Sequence, residues 1–374
     1  MKKLQIIKKH REIASTILIY ISLEILNLVT ILSSVLIPKT QQELILDHVP
    51  RVISVMANFD GIEYMAIANN GYGIFQQAFF PFYPFLISVI HKTTSIPTLY
   101  IGLLVSNISL IFAVYFLLKS FSIIFDFKKA FWFCLFLFFF PTSFFFTSLY
   151  TESLFLFLLS VTIYLVVKKR YWLALPTSLL LGLTRVPGIF TSVNYLGLGK
   201  RGLAVSLSAA LGFLAYALYL FKTTGDFFYF LNVQEAFGAN RSNNFVLLPQ
   251  VLYRYFKIFL SFPYRFTHYV AYLEFISFTI VFLVLLFYLY KLWQNKGKNF
   301  NLLFGLGIFS LINILAPTLT GTLSAIPRYA LLSISFFIFL SNINSEKFKK
   351  LILGIFIVFH IVLLALFSRG YFIS

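Results

Sequence analysis

The chain has 374 residues, of which 60% are hydrophobic, 20% aromatic and only 11% charged. This composition excludes an ordinary soluble enzyme and is typical of a polytopic membrane protein. The formal net charge of +18 does not indicate nucleic-acid binding, because the basic residues fall in short clusters between apolar runs, as the positive-inside bias of membrane proteins predicts.

The first apolar run, residues 13–37, follows a basic N-terminal segment. We predict a retained membrane span with its N-terminus in the cytoplasm. Glu24 lies within this span, where an acid must face protein or water. It could either make a structural hydrogen bond or line a functional site. Residues 38–78 then form the first outer loop. Residues 79–91 are apolar but too short to cross, so we expect them at the outer interface or part way into the membrane.

The middle of the chain is expected to cross at residues 97–118 and 130–148 and to return through 154–167, since basic clusters mark the inner ends of these runs. Residues 171–199 lie between two basic clusters and cannot form two full spans, which need about 20 residues each. They favour a re-entrant hairpin with its apex at the TRVPG turn. Arg185 in that turn would lie within the membrane, where an arginine is a functional candidate.

The second half continues with a span, a second large outer loop at 222–267 and further spans. An Asn-x-Ser glycosylation pattern begins at Asn240 in that loop. The predicted fold is therefore all-α: a single membrane-embedded domain over residues 1–374, a helical bundle of about 9–11 membrane segments. The spans expected after the hairpin are 203–221, 268–290, 300–317, 329–341 and 351–367.

Charged residues are rare in this chain, and several of them fall on the predicted outer side. Asp60 and Glu63 are three apart, so on a helical turn they share a face. Glu152 lies in a very short outer turn, where it either suits the start of a helix or faces the same cavity as Asp60. Together with Arg185 and Arg328, these acids suit a reaction with an anionic lipid-phosphate leaving group. A carboxylate would be the general base, and arginines would neutralise the phosphate.

Aromatic residues follow the first two acids, from Tyr72 and through 79–85. They could line a groove for a sugar or a prenyl chain, but an interfacial aromatic belt is the simpler interpretation, because phenylalanine is abundant throughout. The sequence contains no phosphate-binding glycine-rich loop, and its five histidines lack metal-ligand spacing. The sequence indicates no particular cofactor, although two outer acids could hold a divalent cation loosely.

The segment FDGIEYMAIANNGY, followed by AFFPFYP, resembles the signature of the second mannosyltransferase of glycosylphosphatidylinositol-anchor synthesis and its prokaryotic relatives. That family belongs to the glycosyltransferase C superfamily. Three later segments, FPTSFFFTSLYTES, LTRVPG and IPRY, are similar to further family elements in the same order. The resemblance covers about residues 10–340.

The resemblance implies a glycosyltransferase C-like fold with a catalytic first outer loop. It also implies transfer, with inversion, of a sugar, expected to be mannose, from a polyprenyl-phosphate donor. Asp60 takes the catalytic acid position, with Glu152 and Glu63 as further candidates. Arg185 and Arg328 are assigned to the donor phosphate, with Tyr329 beside them. Candidates for the substrate groove are Tyr64, Tyr72, Phe79, Phe80, Pro81 and Tyr83.

The match departs from the signature at two positions. Phe59 replaces the usual Trp, and Glu63 stands where a His is common in eukaryotic members. The acceptor, whether a glycolipid, a glycan or a protein, therefore stays open. We expect a multi-pass protein of the cytoplasmic membrane in a prokaryote or of the endoplasmic reticulum in a eukaryote, with its active site on the outer or lumenal face. A lipid or solute transporter or flippase is the main alternative, and a non-catalytic subunit of a membrane complex is a third.

Overall fold

The computed structural model describes residues 2–237, 241–242 and 244–373, and the described residues are helical with no β-strand. Asn240, the first residue of the glycosylation pattern, lies outside them. The prediction of an all-α polytopic bundle is confirmed. Seventeen α-helices lie in the described ranges: α1 Lys2–Ser33, α2 Arg51–Ser54, α3 Asp60–Asn70, α4 Phe82–Thr94, α5 Thr98–Ile124, α6 Phe127–Phe138, α7 Glu152–Val167, α8 Tyr171–Thr184, α9 Pro187–Phe190, α10 Gly199–Thr224, α11 Tyr229–Asn232, α12 Leu248–Phe259, α13 Phe266–Gln294, α14 Phe300–Thr318, α15 Ile326–Tyr329, α16 Ile334–Ser341 and α17 Glu346–Ser368.

Six helical segments in the described chain are long and apolar enough to cross a membrane, and α7 and α8 are shorter apolar helices. The sequence predicted about 9–11 membrane segments, and two of the runs expected to cross are interrupted in the structure. The run 130–148 is interrupted, since α6 ends at Phe138 and Pro141 follows before a short 3-10 turn; proline cannot donate a backbone hydrogen bond. The run 329–341 is divided among α15, a 3-10 turn and α16, all largely buried in the bundle.

A hairpin was predicted over residues 171–199. Helix α8 ends at Thr184, the backbone of Arg185 is extended, and the chain continues through α9 and a 3-10 segment to Gly199, where φ is +74°. The neighbouring helices are tightly packed: a Cβ built on Gly212 in α10 would lie 1.9 Å from the Leu179 carbonyl oxygen of α8. Glycine at this contact lets two helix backbones approach closely, as membrane helices commonly require.

The loops expected on the outer side lie together at one end of the bundle. The first outer loop meets the C-terminal segment, where Thr40 N donates to the Arg369 carbonyl at 2.9 Å. The second outer loop meets the same segment and the 318–326 turn, since the Phe266 and Tyr371 rings are 4.9 Å apart and Arg254 donates to the Gly321 carbonyl. This end carries the candidate site.

A buried polar network holds the 143–147 turn in place. The His360 ring on α17 shares hydrogen bonds with Asn27 Oδ1 at 2.7 Å and with Ser143 Oγ at 3.0 Å. The Asn27 amide on α1 in turn donates to Thr147 Oγ1 at 2.9 Å. Polar side chains in an apolar interior are stable only when they find such partners. The network therefore fixes the segment that leads into Glu152.

Candidate active site

Four charged side chains from distant parts of the chain meet at the end of the bundle where the loops expected on the outer side lie. Arg328 Nη1 lies 2.5 Å from Asp60 Oδ2, and Arg328 Nε lies 3.6 Å from Glu152 Oε1. The same Glu152 oxygen pairs with Arg185 Nη1. The order Asp60, Arg328, Glu152, Arg185 alternates negative and positive charges, and we call these four residues the charge cluster. All four were predicted from the sequence, but their pairing was not.

Burial differs along the charge cluster. The side chain of Asp60 is 25% exposed, whereas that of Glu152 is 1% exposed. Burial alone would lower the pKa of Arg328, but the carboxylates of Asp60 and Glu152 raise that pKa well above its ordinary value, so Arg328 stays charged. Two arginines and two acids balance one another, which reduces the cost of burying them. Asp60 is the member that a ligand reaches most readily.

Asp60 is held by the backbone before it. Phe59 has a φ of +59°, an unfavourable conformation for a residue with a side chain. The preceding residue, Asn58, is fully buried and tied on both sides: Leu44 N donates to its Oδ1 at 2.8 Å, and its Nδ2 donates to the Phe367 carbonyl at 2.7 Å. Tyr150 Oη also donates to the Asn58 carbonyl. These contacts stabilise the turn that starts α3 at Asp60.

Glu152 is the first residue of α7, where a negative charge suits the helix dipole. It also contacts the two arginines of the charge cluster. The turn before it is joined to the first outer loop, since Leu149 N donates to the Met56 carbonyl at 2.9 Å and the hydroxyls of Tyr64 and Thr151 are 3.4 Å apart. These contacts fix the positions of Glu152 and Asp60 relative to each other.

The two arginines lie against aromatic rings. The Arg185 guanidinium is 5.8 Å from the centre of the Tyr329 ring, and that of Arg328 is 5.5 Å from Phe145 and 5.6 Å from Tyr150. Such cation–π contacts favour a charged guanidinium at a desolvated site. Tyr329, predicted beside the donor phosphate, thus lies against Arg185.

Glu63 does not join the charge cluster. Its Oε2 accepts a hydrogen bond from Gln76 Nε2 at 2.7 Å, and Gln76 Oε1 accepts from Gly73 N. In this structure the third candidate acid therefore ties the 71–78 loop to α3. Glu24, the acid within α1, makes no ion pair among the described residues, and one of its carboxyl oxygens is buried without a hydrogen-bond partner.

The aromatic residues expected to form a groove are mostly packed inside the protein. Tyr83 is fully buried with its hydroxyl bonded to the Gly102 carbonyl, and Phe80 is 2% exposed among other rings. Tyr64 and Phe79 are also buried and stack edge to face at 5.0 Å. An open groove formed by these four is therefore wrong for this structure, because their surfaces are already in contact with protein. The other two candidates, Tyr72 and Pro81, are half-buried.

A second ionic cluster, which sequence reasoning missed, anchors the first outer loop. Glu43 is 2% exposed at its side chain and binds Arg51 Nε at 2.7 Å and Arg369 Nη1 at 3.1 Å. Arg51 also donates to the Ile31 carbonyl. The cluster joins the loop to the ends of α1 and α17. In the sequence, the only sign of this cluster is the number of charged residues in the first outer loop.

No group of three or more His, Cys, Asp or Glu side chains in the described part of the chain is arranged to hold a metal ion. The two acids of the charge cluster, Asp60 and Glu152, are both paired with arginine. The charge cluster in its present form is thus a poor fit for such an ion.

Part of the chain matches a known protein family. The family model described as mannosyltransferase (PIG-V) matches residues 13–197. These residues, nearly half of the chain, are therefore similar to this mannosyltransferase family. The match contains Asp60, Glu152 and Arg185, while Arg328 lies beyond it. No curated protein matches the chain. The six apolar helices support an integral membrane protein, and the family match supports a mannosyltransferase.

Proposed function

We propose that this mannosyltransferase takes mannose from a polyprenyl-phosphate donor and transfers it, with inversion, to an acceptor hydroxyl on the outer or lumenal face. The observation that carries the proposal is the charge cluster: an accessible acid, Asp60, in contact with an arginine that a second, buried acid holds in place. This pairs a general base with cations suited to phosphate.

Asp60 would act as the base. Its carboxylate takes the proton of the acceptor hydroxyl as that oxygen bonds to the anomeric carbon of mannose. The bond between this carbon and the phosphate oxygen breaks, and its electron pair stays on the phosphate. A singly charged phosphodiester thereby becomes a monoester that gains a second charge near neutral pH. Arg328 and Arg185 would stabilise the charge that develops on the leaving group.

Donor binding requires a change of partner for Arg328. In the donor-free cluster, Arg328 Nη1 bonds to Asp60. A phosphate beside Arg328 would compete for this guanidinium and release Asp60 to accept a proton. Glu152, which contacts both arginines, would hold them during the exchange. The base would thus become free when the donor is present.

We place the reaction on the outer or lumenal face because of the position of the loops and of the basic clusters. The charge cluster lies at the end where the predicted outer loops gather, and clusters of Lys and Arg, including Lys168–Arg170, mark the opposite ends of the spans. The donor sugar would then be reached from the outer or lumenal leaflet. The acceptor is a hydroxyl of a glycolipid, a glycan or a protein.

The test is chemical. The purified protein is reconstituted in vesicles with polyprenyl-phosphate-[14C]mannose and a lipid extract as acceptor. We expect release of polyprenyl phosphate and transfer of label to a new product. A transporter or flippase would instead move the intact donor across the bilayer, and an intact donor after prolonged incubation with active protein would refute the proposal.

A further inference from the structure

A cavity of about 620 Å³ lies at the same end of the bundle as the charge cluster. Its walls come from the start of α13, the end of α12, the loop before α15 and the C-terminal segment, with Thr40 and Gln42 of the first outer loop. Its size is that of a small-ligand site. None of the four residues of the charge cluster lines it, so it is a separate compartment.

Two contacts connect the cavity to Asp60 and Arg328. Phe372 lines the cavity, and its ring is 5.3 Å from that of Phe59, the residue before Asp60. Ser324, also in the wall, precedes α15, the helix that carries Arg328. The Phe59 and Phe372 rings therefore join the cavity wall to the residue that precedes the proposed base.

Several polar side chains of the cavity wall are buried, among them Glu274, Ser324 and His268. Glu274 is 6% exposed, and no Lys, Arg or His nitrogen among the described residues forms an ion pair with it. Tyr255 Oη donates a hydrogen bond to its carboxyl group and accepts one from Leu323 N at 3.0 Å. The Ser324 hydroxyl, in a side chain that is 6% exposed, has no hydrogen-bond partner. Buried polar groups without partners call for an explanation, and a missing ligand is one.

We infer that this cavity binds the carbohydrate headgroup of the acceptor; the inference rests on the proposed function. Sugar hydroxyls donate to a carboxyl oxygen and to a serine hydroxyl, and the rings of Phe266, Tyr371 and Phe372 offer apolar surface for the C–H face of a sugar. Glu274, which forms no ion pair among the described residues, disfavours a phosphate or other anionic headgroup. The donor phosphate therefore belongs at the arginines and the acceptor sugar belongs here. The reacting hydroxyl would meet Asp60 past the Phe59 and Phe372 rings.

Ser324→Ala is the decisive variant, because removing an unpartnered buried hydroxyl leaves no protein group without its hydrogen bond. Reconstituted protein is given a fixed amount of polyprenyl-phosphate-[14C]mannose and graded amounts of a total membrane lipid extract as the acceptor pool. We expect the half-saturating amount of extract to rise about fivefold, the worth of one hydrogen bond. The half-saturating donor concentration should stay unchanged. Glu274→Gln should shift the acceptor dependence in the same direction.

Ser335→Ala is the matched control, since Ser335 is likewise buried with an unpartnered hydroxyl but does not line the cavity. Its acceptor dependence should equal that of the wild-type protein. The inference is overturned if Ser324→Ala and Ser335→Ala behave alike, or if Ser324→Ala changes the donor dependence instead. If the wild-type protein leaves the donor intact, the proposed function itself fails, and that outcome is distinct from both.

Discussion

The sharpest consequence of the charge cluster concerns Glu152. Its Oε1 contacts both Arg185 and Arg328. Arg328 also forms an ion pair with Asp60, whereas Arg185 has no other acid partner among the described residues. Glu152→Gln keeps the size of the side chain and removes its charge. Arg185, with a side chain 10% exposed, is then left as a buried cation without a partner.

The expected cost follows from that burial. Removing one member of a buried ion pair destabilises a protein by about 3–5 kcal/mol, because the remaining charge stays desolvated. The matched control is Glu346→Gln, the same substitution in an ion pair whose Lys128 and Glu346 side chains are 72% and 44% exposed. Exposed pairs contribute little, since water already solvates both groups. We therefore expect the control to unfold like the wild-type protein.

The free energy of unfolding can be measured by titrating the protein with SDS in mixed micelles, with loss of helical circular dichroism as the signal. Glu152→Gln should unfold at clearly lower SDS than the wild-type protein. If Glu152→Gln and Glu346→Gln are equally stable, then Glu152 and Arg185 do not form a buried pair, and the reasoning that places the arginines by means of Glu152 is wrong.

Three further predictions follow from the same contacts. Arg328→Ala should raise the half-saturating donor concentration about 10-fold or more in the vesicle assay, because it removes a charge-assisted contact to phosphate; an unchanged donor dependence would remove Arg328 from that role. Asn58→Ala removes the hydrogen-bond partner of two backbone groups, the Leu44 amide and the Phe367 carbonyl. SDS titration should show that the free energy of unfolding falls by about 2–5 kcal/mol. Stability equal to that of the wild-type protein would show that the turn before Asp60 does not need these hydrogen bonds. Gly212→Val should disrupt the contact between α8 and α10 and lower the yield of monodisperse protein. Gly354→Val is the control, because no atom lies within 4 Å of the Cβ added at that site, and its yield should equal that of the wild-type protein. Equal yields of the two variants would contradict the close packing.

The charged residues could be predicted from the sequence because they are so rare. In a chain with 11% charged residues, an acid or arginine beside or within an apolar run is costly unless it has a function or a partner. That argument found Asp60, Glu152, Arg185 and Arg328. It could not predict which acid pairs with which arginine, since the pairing depends on how helices up to 268 residues apart pack together.

Other features of the fold could not be predicted from the sequence in this way. The runs 130–148 and 329–341 are apolar enough to be spans, but hydropathy does not distinguish a lipid-facing helix from a short element buried in protein. The aromatic groove was predicted from a Phe- and Tyr-rich run, and burial of Phe80 and Tyr83 shows that such a run also serves packing. Glu274 lay inside an expected span, and only the folded chain places it beside a cavity.

The central claim is that Asp60 is the base for transfer from a lipid-linked donor. The most direct measurement is the rate of [14C]mannose transfer by Asp60→Asn in the reconstituted vesicles, beside wild-type protein at matched amounts of folded enzyme. Loss of a general base is expected to slow transfer by about 10²–10⁴-fold, while the donor still binds through the arginines. Transfer by Asp60→Asn at near the wild-type rate would contradict the account.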